Sequence, residues 1–475
     1  MAKGMVWMVG ARLMDRSIGI VSTLILARLL VPEDFGLVAM ATAIGGMLDL
    51  LGAFSFDVAL IQNSKAERRH YDTVWTFNAI FGLVCAAGLV AGALPAAHFY
   101  SEPRLAGVMY TLSLSYFFVA FNNVGIVNFR KELNFRQEFL TIFARRAVTF
   151  AVTIGAAFVL RSYWALLIGM TVGRVVALVL SYTMNSYRPR FSLEAAGELL
   201  HFSKWMLFNN ALAFLIHDGC TFVIGRIFGA AGLGIYSVSY EISQLPSTEL
   251  VAPINRVTLP GFSKMSDTAE IAVSYLRLLG LITLVILPVG LGIAAVAEPL
   301  VLTALGAHWA HAIPLIAVLG INGAIAATQT NNSAVWLSQG LPREVTRLNG
   351  CFVLVLFPAL YFYLNRFGII GAGYAYLTAQ LVNVPLAMST TKRLLKFGWN
   401  EVFRVVWRPV VGACAMYFIV QQAERMTSAY SPLPRLLMDV AVGGLSYCAI
   451  ILLLWLVSAR PAGAERFCLE RARLI

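Results

Sequence analysis

The chain has 475 residues, of which 59% are apolar and only 13% charged, and its mean hydropathy is +0.75. A soluble protein of this length carries roughly a quarter charged residues, so a water-soluble globule is excluded and an all-α polytopic membrane protein is expected. The net charge of +12 does not point to nucleic acid, because Lys and Arg sit mostly in short segments between apolar spans, which is the pattern of membrane orientation.

In chain order, the apolar windows long enough to cross about 30 Å at about 1.5 Å per residue number fourteen. They cover 5–30, 37–62, 73–95, 105–128, 141–160, 163–184, 203–226, 234–258, 273–296, 312–337, 346–364, 369–391, 405–421 and 436–458. Lipid admits only helices or closed barrels, and the short alternating segments of a barrel are missing, so each window predicts a helix. The first window carries Asp15 and shows no clear small-residue cleavage site, which predicts an uncleaved first helix. With the N-terminus placed inside, 23 Lys and Arg fall on that face and seven on the other. Both termini are therefore expected to be cytoplasmic, with an even number of spans.

Between the first two windows lies "ARLLVPEDFGLVAMA", residues 27–41. Pro32 is expected to end the first helix, Glu33 and Asp34 to face the positive N-terminus of the second, and Gly36 to supply a tight reversal. A looser copy, "GRIFGAAGLGIYSVS" at 225–239, sets Arg226 on Arg28 and Gly234 on Gly36. Further on, Asn122 and Asn123 recur as Asn331 and Asn332, "ELNFR" (132–136) lies over "GLPRE" (340–344), and "SYWAL" (162–166) over "IGAGY" (370–374). These echoes predict a six-helix bundle in 1–200, a second in 201–395, and two additional helices with a cytoplasmic tail in 396–475. Six being even, both halves share one orientation, the arrangement of a rocker with a cleft between two bundles. The repeated motif is expected to be a hinge in each half, without ligand contact.

Charges at membrane depth cost about 2.5 to 3.5 kcal/mol each on insertion scales, so each needs a partner or water. Arg12, Asp15 and Arg16 share one helix face; they form either a ladder to neighbouring helices or a guanidinium pair that grips phosphate. Arg145 and Arg146, near the cytoplasmic end of the fifth window, either snorkel to the interface or line a cavity. Arg174 sits too deep in the sixth to snorkel easily. Asp49, Asp57, Asp218, Glu241 and Glu249 are either counter-ions or proton or sodium sites, and Asp15, Asp218 and Glu249 are the ion-coupling candidates. The amides Asn122, Asn123, Asn210, Asn331 and Asn332 either bond between helices or contact sugar hydroxyls.

His308 and His311 have no third ligand nearby and the six cysteines are scattered, so no metal site and no cofactor is expected. No Gly-Lys dipeptide exists, which excludes an ATPase phosphate loop in the chain. No nucleophile-base constellation is visible, and the external loops are short for a membrane glycosyltransferase or ligase.

With fourteen spans in two tandem halves, and with "RLLVPEDFG" (28–36), "VWTFNAIFG" (74–82) and "FRKELNFR" (129–136), the chain resembles the polysaccharide transporters of the MOP exporter superfamily over residues 5 to about 395. Its nearest likeness is to the Wzx-type lipopolysaccharide and exopolysaccharide flippases, of the colanic acid exporter kind. The resemblance implies a MATE/MOP-like fold in a bacterial inner membrane. It also implies flipping of undecaprenyl-diphosphate-linked oligosaccharide repeat units by alternating access, driven by an H+ or Na+ gradient. The implied partners are the lipid-linked oligosaccharide, membrane lipids, a polysaccharide polymerase and a chain-length regulator. From the family comes only the idea of a cationic cavity, for which this sequence offers Arg12, Arg16, Arg145, Arg146 and Arg174. An ion-coupled multidrug antiporter of the same superfamily and a membrane glycosyltransferase or ligase stay open as alternatives.

Overall fold

A computed structural model describes residues 2–50, 60, 66–132, 134–197, 211–265, 267–427, 429–459 and 463–465, with the side chains of 2–9, 11–13, 252–253 and 255–257 outside it. The described residues are helical with short connections and contain no strand. Helix is present in the described part of each of the fourteen predicted windows. Among the described residues nine helices are long and apolar enough to cross a membrane, or ten if a bent pair counts as one span. The protein is an all-α polytopic membrane protein, as its composition requires.

The chain divides into two compact units, 1–234 and 235–475. The first contains α1 (Ala2–Leu29), α2 (Pro32–Leu50), α3 (Arg68–Tyr100), α4 (Arg104–Ala120), the short α5 (Val127–Lys131), α6 (Phe135–Leu160) and α7 (Trp164–Thr183). Here α1 lies along α6, α6 along α7, α7 along α4, and α4 along α3. Helix α8 (Gly219–Pro246) leads into the second unit. There follow α9 (Ala252–Ser263), α10 (Thr268–Ala295), α11 (Ala297–Ala304), α12 (Ile313–Thr328), α13 (Thr330–Ser338), α14 (Pro342–Phe367), α15 (Ile370–Leu395), α16 (Trp399–Thr427) and α17 (Pro432–Val457). The last two helices belong to its core: α16 lies on α10, and Met416, Val420 and Tyr447 join Ile282 and Ile286 in one buried cluster.

The sequence echoes have structural counterparts. Gly82 of α3 faces Ala120 of α4, and Gly290 of α10 faces Ala324 of α12, so each pair of helices meets where a glycine lets a neighbouring helix close in. In both places the second helix of the pair then breaks. Helix α4 bends by 65° into the 124–131 segment, and α12 gives way to α13 at Gln329.

The first motif behaves differently from its expectation. The reversal lies at Leu30–Val31, before Pro32 opens α2, and Gly36 is helical. Proline fits that position because its fixed φ suits a first helical turn whose amide would be unbonded anyway. Gly36 instead permits a close crossing: a Cβ there would run into the carbonyl oxygen of Ala230, and one on Gly234 would run into that of Pro32. The two glycines that the repeat aligns thus face each other. In the copy the turn falls on Gly229, whose φ of 64° is cheap for glycine and strained for other residues.

The acids of the motif do more than sit on a helix terminus. Glu33 Oε1 accepts from Arg104 Nη2 at 2.6 Å, Asp34 Oδ1 accepts from the backbone amide of Tyr163 at 2.9 Å, and Asp34 Oδ2 accepts from the Val31 amide at 3.2 Å. Arg104 also grips Glu102 through Nε at 2.8 Å and holds its carboxyl below the usual carboxylate range. Three turns, α1–α2, α3–α4 and α6–α7, are tied together at one end of the unit. The motif thus links these turns within the first unit.

Candidate functional site

One face of the first unit gathers charge at mid-helix. Asp15 is the fourteenth residue of the 28 in α1, Arg145 and Arg146 lie well inside the 26-residue α6, and Arg174 lies near the middle of the 20-residue α7. Because α6 begins at Phe135, Arg145 stands about 15 Å from its start at about 1.5 Å per residue.

The pair divides its work. Arg146 donates from Nε to Asp15 Oδ1 and from Nη2 to Asp15 Oδ2 at 3.1 Å, a bidentate arrangement that ties α6 to α1. Arg145 is exposed and within electrostatic reach of Arg146, Asp15 and Arg174. Arg174 is exposed as well and lines a cavity of about 300 Å³ together with Asp49, Asn78, Cys85, Tyr116 and Asn122. Within it, Tyr116 donates to Asp49 Oδ2 at 2.7 Å. Exposed charges at membrane depth demand water or a polar ligand beside them, since hydrocarbon would exact the insertion cost for each. Among the described side chains, Arg145, Arg146 and Arg174 against Asp15 and Asp49 leave an excess of positive charge.

The amide pairs show the same division of labour in both units. Asn123 is fully buried and committed to the break after α4: Oδ1 accepts from the Gly125 amide at 2.9 Å, Nδ2 donates to the Tyr187 carbonyl at 2.7 Å, and its amide donates to Ser181 Oγ at 3.0 Å. Tyr187 itself is anchored by donating to Asp72, and burial, followed by that carboxylate, pushes its phenol well up. Asn332 is likewise occupied, accepting from Tyr275 at 2.6 Å and Thr391 at 2.9 Å while donating to Gln329 at 2.9 Å. These two are interhelical fasteners, and Asn123 also lies on the cavity wall. Their neighbours differ. Asn122 Oδ1 and both polar atoms of Asn331 are buried without a hydrogen-bond partner, and Asn122 faces the cavity.

Of the other predicted site residues, Arg16 is half-buried on α1 beside Asp15. Asp218 is half-buried at an irregular turn before α8, its amide bonded to the Phe214 carbonyl at 2.7 Å. Glu249 lies in a π-helical turn, Ser247–Val251, a distortion that often marks a functional position. It belongs to the second unit and not to the charged face described above. The side chain of Arg12, and Asp57 and Asn210, lie outside the described residues. Asp49 and Tyr116 are the partners that sequence reasoning left in the background; the signal was a carboxylate eighteen residues into α2 and a tyrosine in an otherwise apolar span.

Among the described residues no group of three His, Cys, Asp or Glu could hold a metal ion. The arrangement can attract an anion.

The sequence profile of a family described as polysaccharide biosynthesis protein matches residues 25–314. The chain belongs to that family. Among curated relatives, it is 24% identical to lipopolysaccharide biosynthesis protein WzxC of Escherichia coli (strain K12), over 93% of this chain and 87% of the relative. It is 28% identical to succinoglycan biosynthesis transport protein ExoT of Rhizobium meliloti (strain 1021), over 63% of this chain and 62% of the relative. Its fold is that of the lipid II flippase MurJ in an inward closed conformation, with a TM-score of 0.76 and 12% identity, covering 96% of this chain and 100% of that one. The link to polysaccharide biosynthesis expected from the motifs is borne out by that family.

The Asp15–Arg146 pair yields a direct test. Asp15→Ala and Arg146→Ala are each expected to lower thermal stability in detergent, and the double variant to be no worse than the poorer single, a coupling of about 1 kcal/mol. Fully additive losses would show that the two side chains do not act as a pair.

Proposed function

We propose that this protein is a flippase that carries undecaprenyl-diphosphate-linked oligosaccharide repeat units across the bacterial inner membrane for lipopolysaccharide or exopolysaccharide synthesis. The observation that carries the reading is the cationic face of the first unit, where Arg145, Arg146 and Arg174 stand at mid-helix. A diphosphate is the part of such a substrate that hydrocarbon rejects most strongly, while its polyprenyl tail is at home in lipid. Arginine forks suit phosphate oxygens, and Asn122, with an unused acceptor at the cavity wall, suits a sugar hydroxyl.

Transport proceeds by alternating access. Both termini are cytoplasmic, and the repeat is organised as six helices in 1–200, six in 201–395 and an added pair in 396–475. An H+ or Na+ gradient drives the cycle through a carboxylate. Asp15 is engaged by Arg146, which favours Asp49, held by a phenol, with Asp218 and Glu249 as further candidates. The polymer pathway's polymerase and chain-length regulator are its functional partners. A cationic-drug antiporter fits less well, because its cavity needs net negative charge. A glycosyltransferase or ligase fits less well for want of a catalytic constellation.

Deleting the gene in its polymer-producing host and tracing labelled sugar tests the proposal. Lipid-linked repeat units are expected to accumulate in the cytoplasmic leaflet while polymer disappears; normal polymer yield in the deletion strain would sink it.

A further inference from the structure

The second unit contains a cationic cavity of its own, of about 570 Å³, between α10, α16 and the segment that follows α17. Arg277, Arg404 and Arg408 line it with Trp407, and Glu465 closes it from the C-terminal side. Arg408 is only 5% exposed, as is Glu465. Their contact is a loose one, Nη1 to Oε1 at 3.3 Å, and the Nε and Nη1 of Arg408 have no hydrogen-bond partner. Arg277 and Arg404 are exposed, and no hydrogen bond or ion pair engages either among the described residues. Among the described lining residues, three guanidiniums and one carboxylate leave two positive charges unmatched, beside buried Arg408 nitrogens that make no hydrogen bond. That is an expensive arrangement unless an anion completes it.

The level of the cavity in the membrane identifies the anion's carrier. Trp399 and Phe403 on the first turns of α16 are exposed at 49% and 67%, Phe403 stacks on Trp407 with ring centroids 6.4 Å apart, and the Lys392 ammonium lies 5.1 Å from the centre of the Trp399 ring. Exposed aromatics beside cations are the mark of the lipid–water boundary. A guanidinium cluster at that level, with Val273, Leu276 and Val405 as apolar walls, matches a phosphate held on an acyl or prenyl chain better than a free ion, which the apolar walls do not favour. Basic pockets between spanning helices take phospholipid headgroups in this way.

We propose that this cavity binds the phosphate of a membrane lipid, and that Glu465 is the internal anion that occupies Arg408 until the lipid arrives. The C-terminal segment thereby becomes a lipid-responsive element. The backbone is closely approached here: a Cβ on Gly463 would lie 3.0 Å from Glu465 Oε2 and 3.7 Å from Arg408 Nη2. Withdrawal of Glu465 would open this corner of the cavity to the lipid. The site is separate from the charged face of the first unit, so it can fail while the flippase reading stands.

The test uses the full chain in phosphatidylcholine nanodiscs doped with phosphatidylglycerol, with native mass spectrometry counting retained lipid. Phosphatidylglycerol is expected to be retained over phosphatidylcholine. Arg277→Gln and Arg404→Gln, both at exposed side chains, should each lower that retention roughly fivefold, and Glu465→Gln should raise it. Adding undecaprenyl diphosphate identifies the carrier: displacement of phosphatidylglycerol assigns the site to the prenyl lipid, and its persistence assigns it to phospholipid. Retention unchanged in both arginine variants, or displacement of the lipid by millimolar inorganic phosphate, would overturn the proposal.

Discussion

Arg174→Ala is expected to lower lipid-linked oligosaccharide flipping by about 10- to 100-fold while leaving the protein in the membrane at normal abundance. The size follows from losing a charge-assisted contact to phosphate worth about 1.5 to 3 kcal/mol. Arg174 is exposed, and the cavity wall it leaves behind still has Tyr116 bonded to Asp49 at 2.7 Å, so its removal strands no buried partner. Arg174→Lys should recover part of the rate, since the ammonium keeps the charge but loses the planar fork. The measurement is initial flipping rate against protein abundance. A rate loss that merely tracks lost protein would assign Arg174 to folding. Arg145→Ala is expected to add to the effect, because both arginines face the same polar surface.

Gly36→Val should be the most damaging substitution away from charge. A Cβ at Gly36 would collide with the backbone of Ala230, and one at Gly234 with that of Pro32. Backbone cannot step aside as a side chain does, so the crossing must open, at a cost of at least about 1 to 3 kcal/mol. Export is expected to fall about 5- to 150-fold, the factor that such a cost implies at about 1.36 kcal/mol per tenfold, with a lower melting temperature. Gly234→Val should do the same, and the double variant should be no worse than either single, since one contact is lost in all three. Additive losses would mean that the glycines serve separate roles.

Much of the fold is legible in the sequence because bilayer thickness leaves few choices: an apolar run of sufficient length must be helix. The repeat is legible in Asn122–Asn123 and Asn331–Asn332, and the structure gives the two members of each pair different tasks. What escapes the sequence is whatever depends on helix length beyond the apolar window. Phe135–Glu138 are helical although partly polar, so α6 begins six residues before the apolar window at 141. Long-range pairings escape too. Glu33 and Arg104 are 71 residues apart, and Asp34 and Tyr163 are 129 apart, so the acids of the first motif read as helix-terminus charges. The cavity lined by Arg404 and Arg408 escapes it as well, because it needs α10 and Glu465 to close it.

The central claim is that the cationic face of the first unit recognises diphosphate on a lipid. Leaflet-resolved flipping in proteoliposomes tests it most directly, using a fluorescent undecaprenyl-diphosphate oligosaccharide beside an undecaprenyl-linked analogue in which a neutral linker replaces the diphosphate. The account predicts fast flipping of the diphosphate lipid alone, lost with Arg174→Ala. Equal rates for both lipids, unchanged by Arg174→Ala, would contradict it.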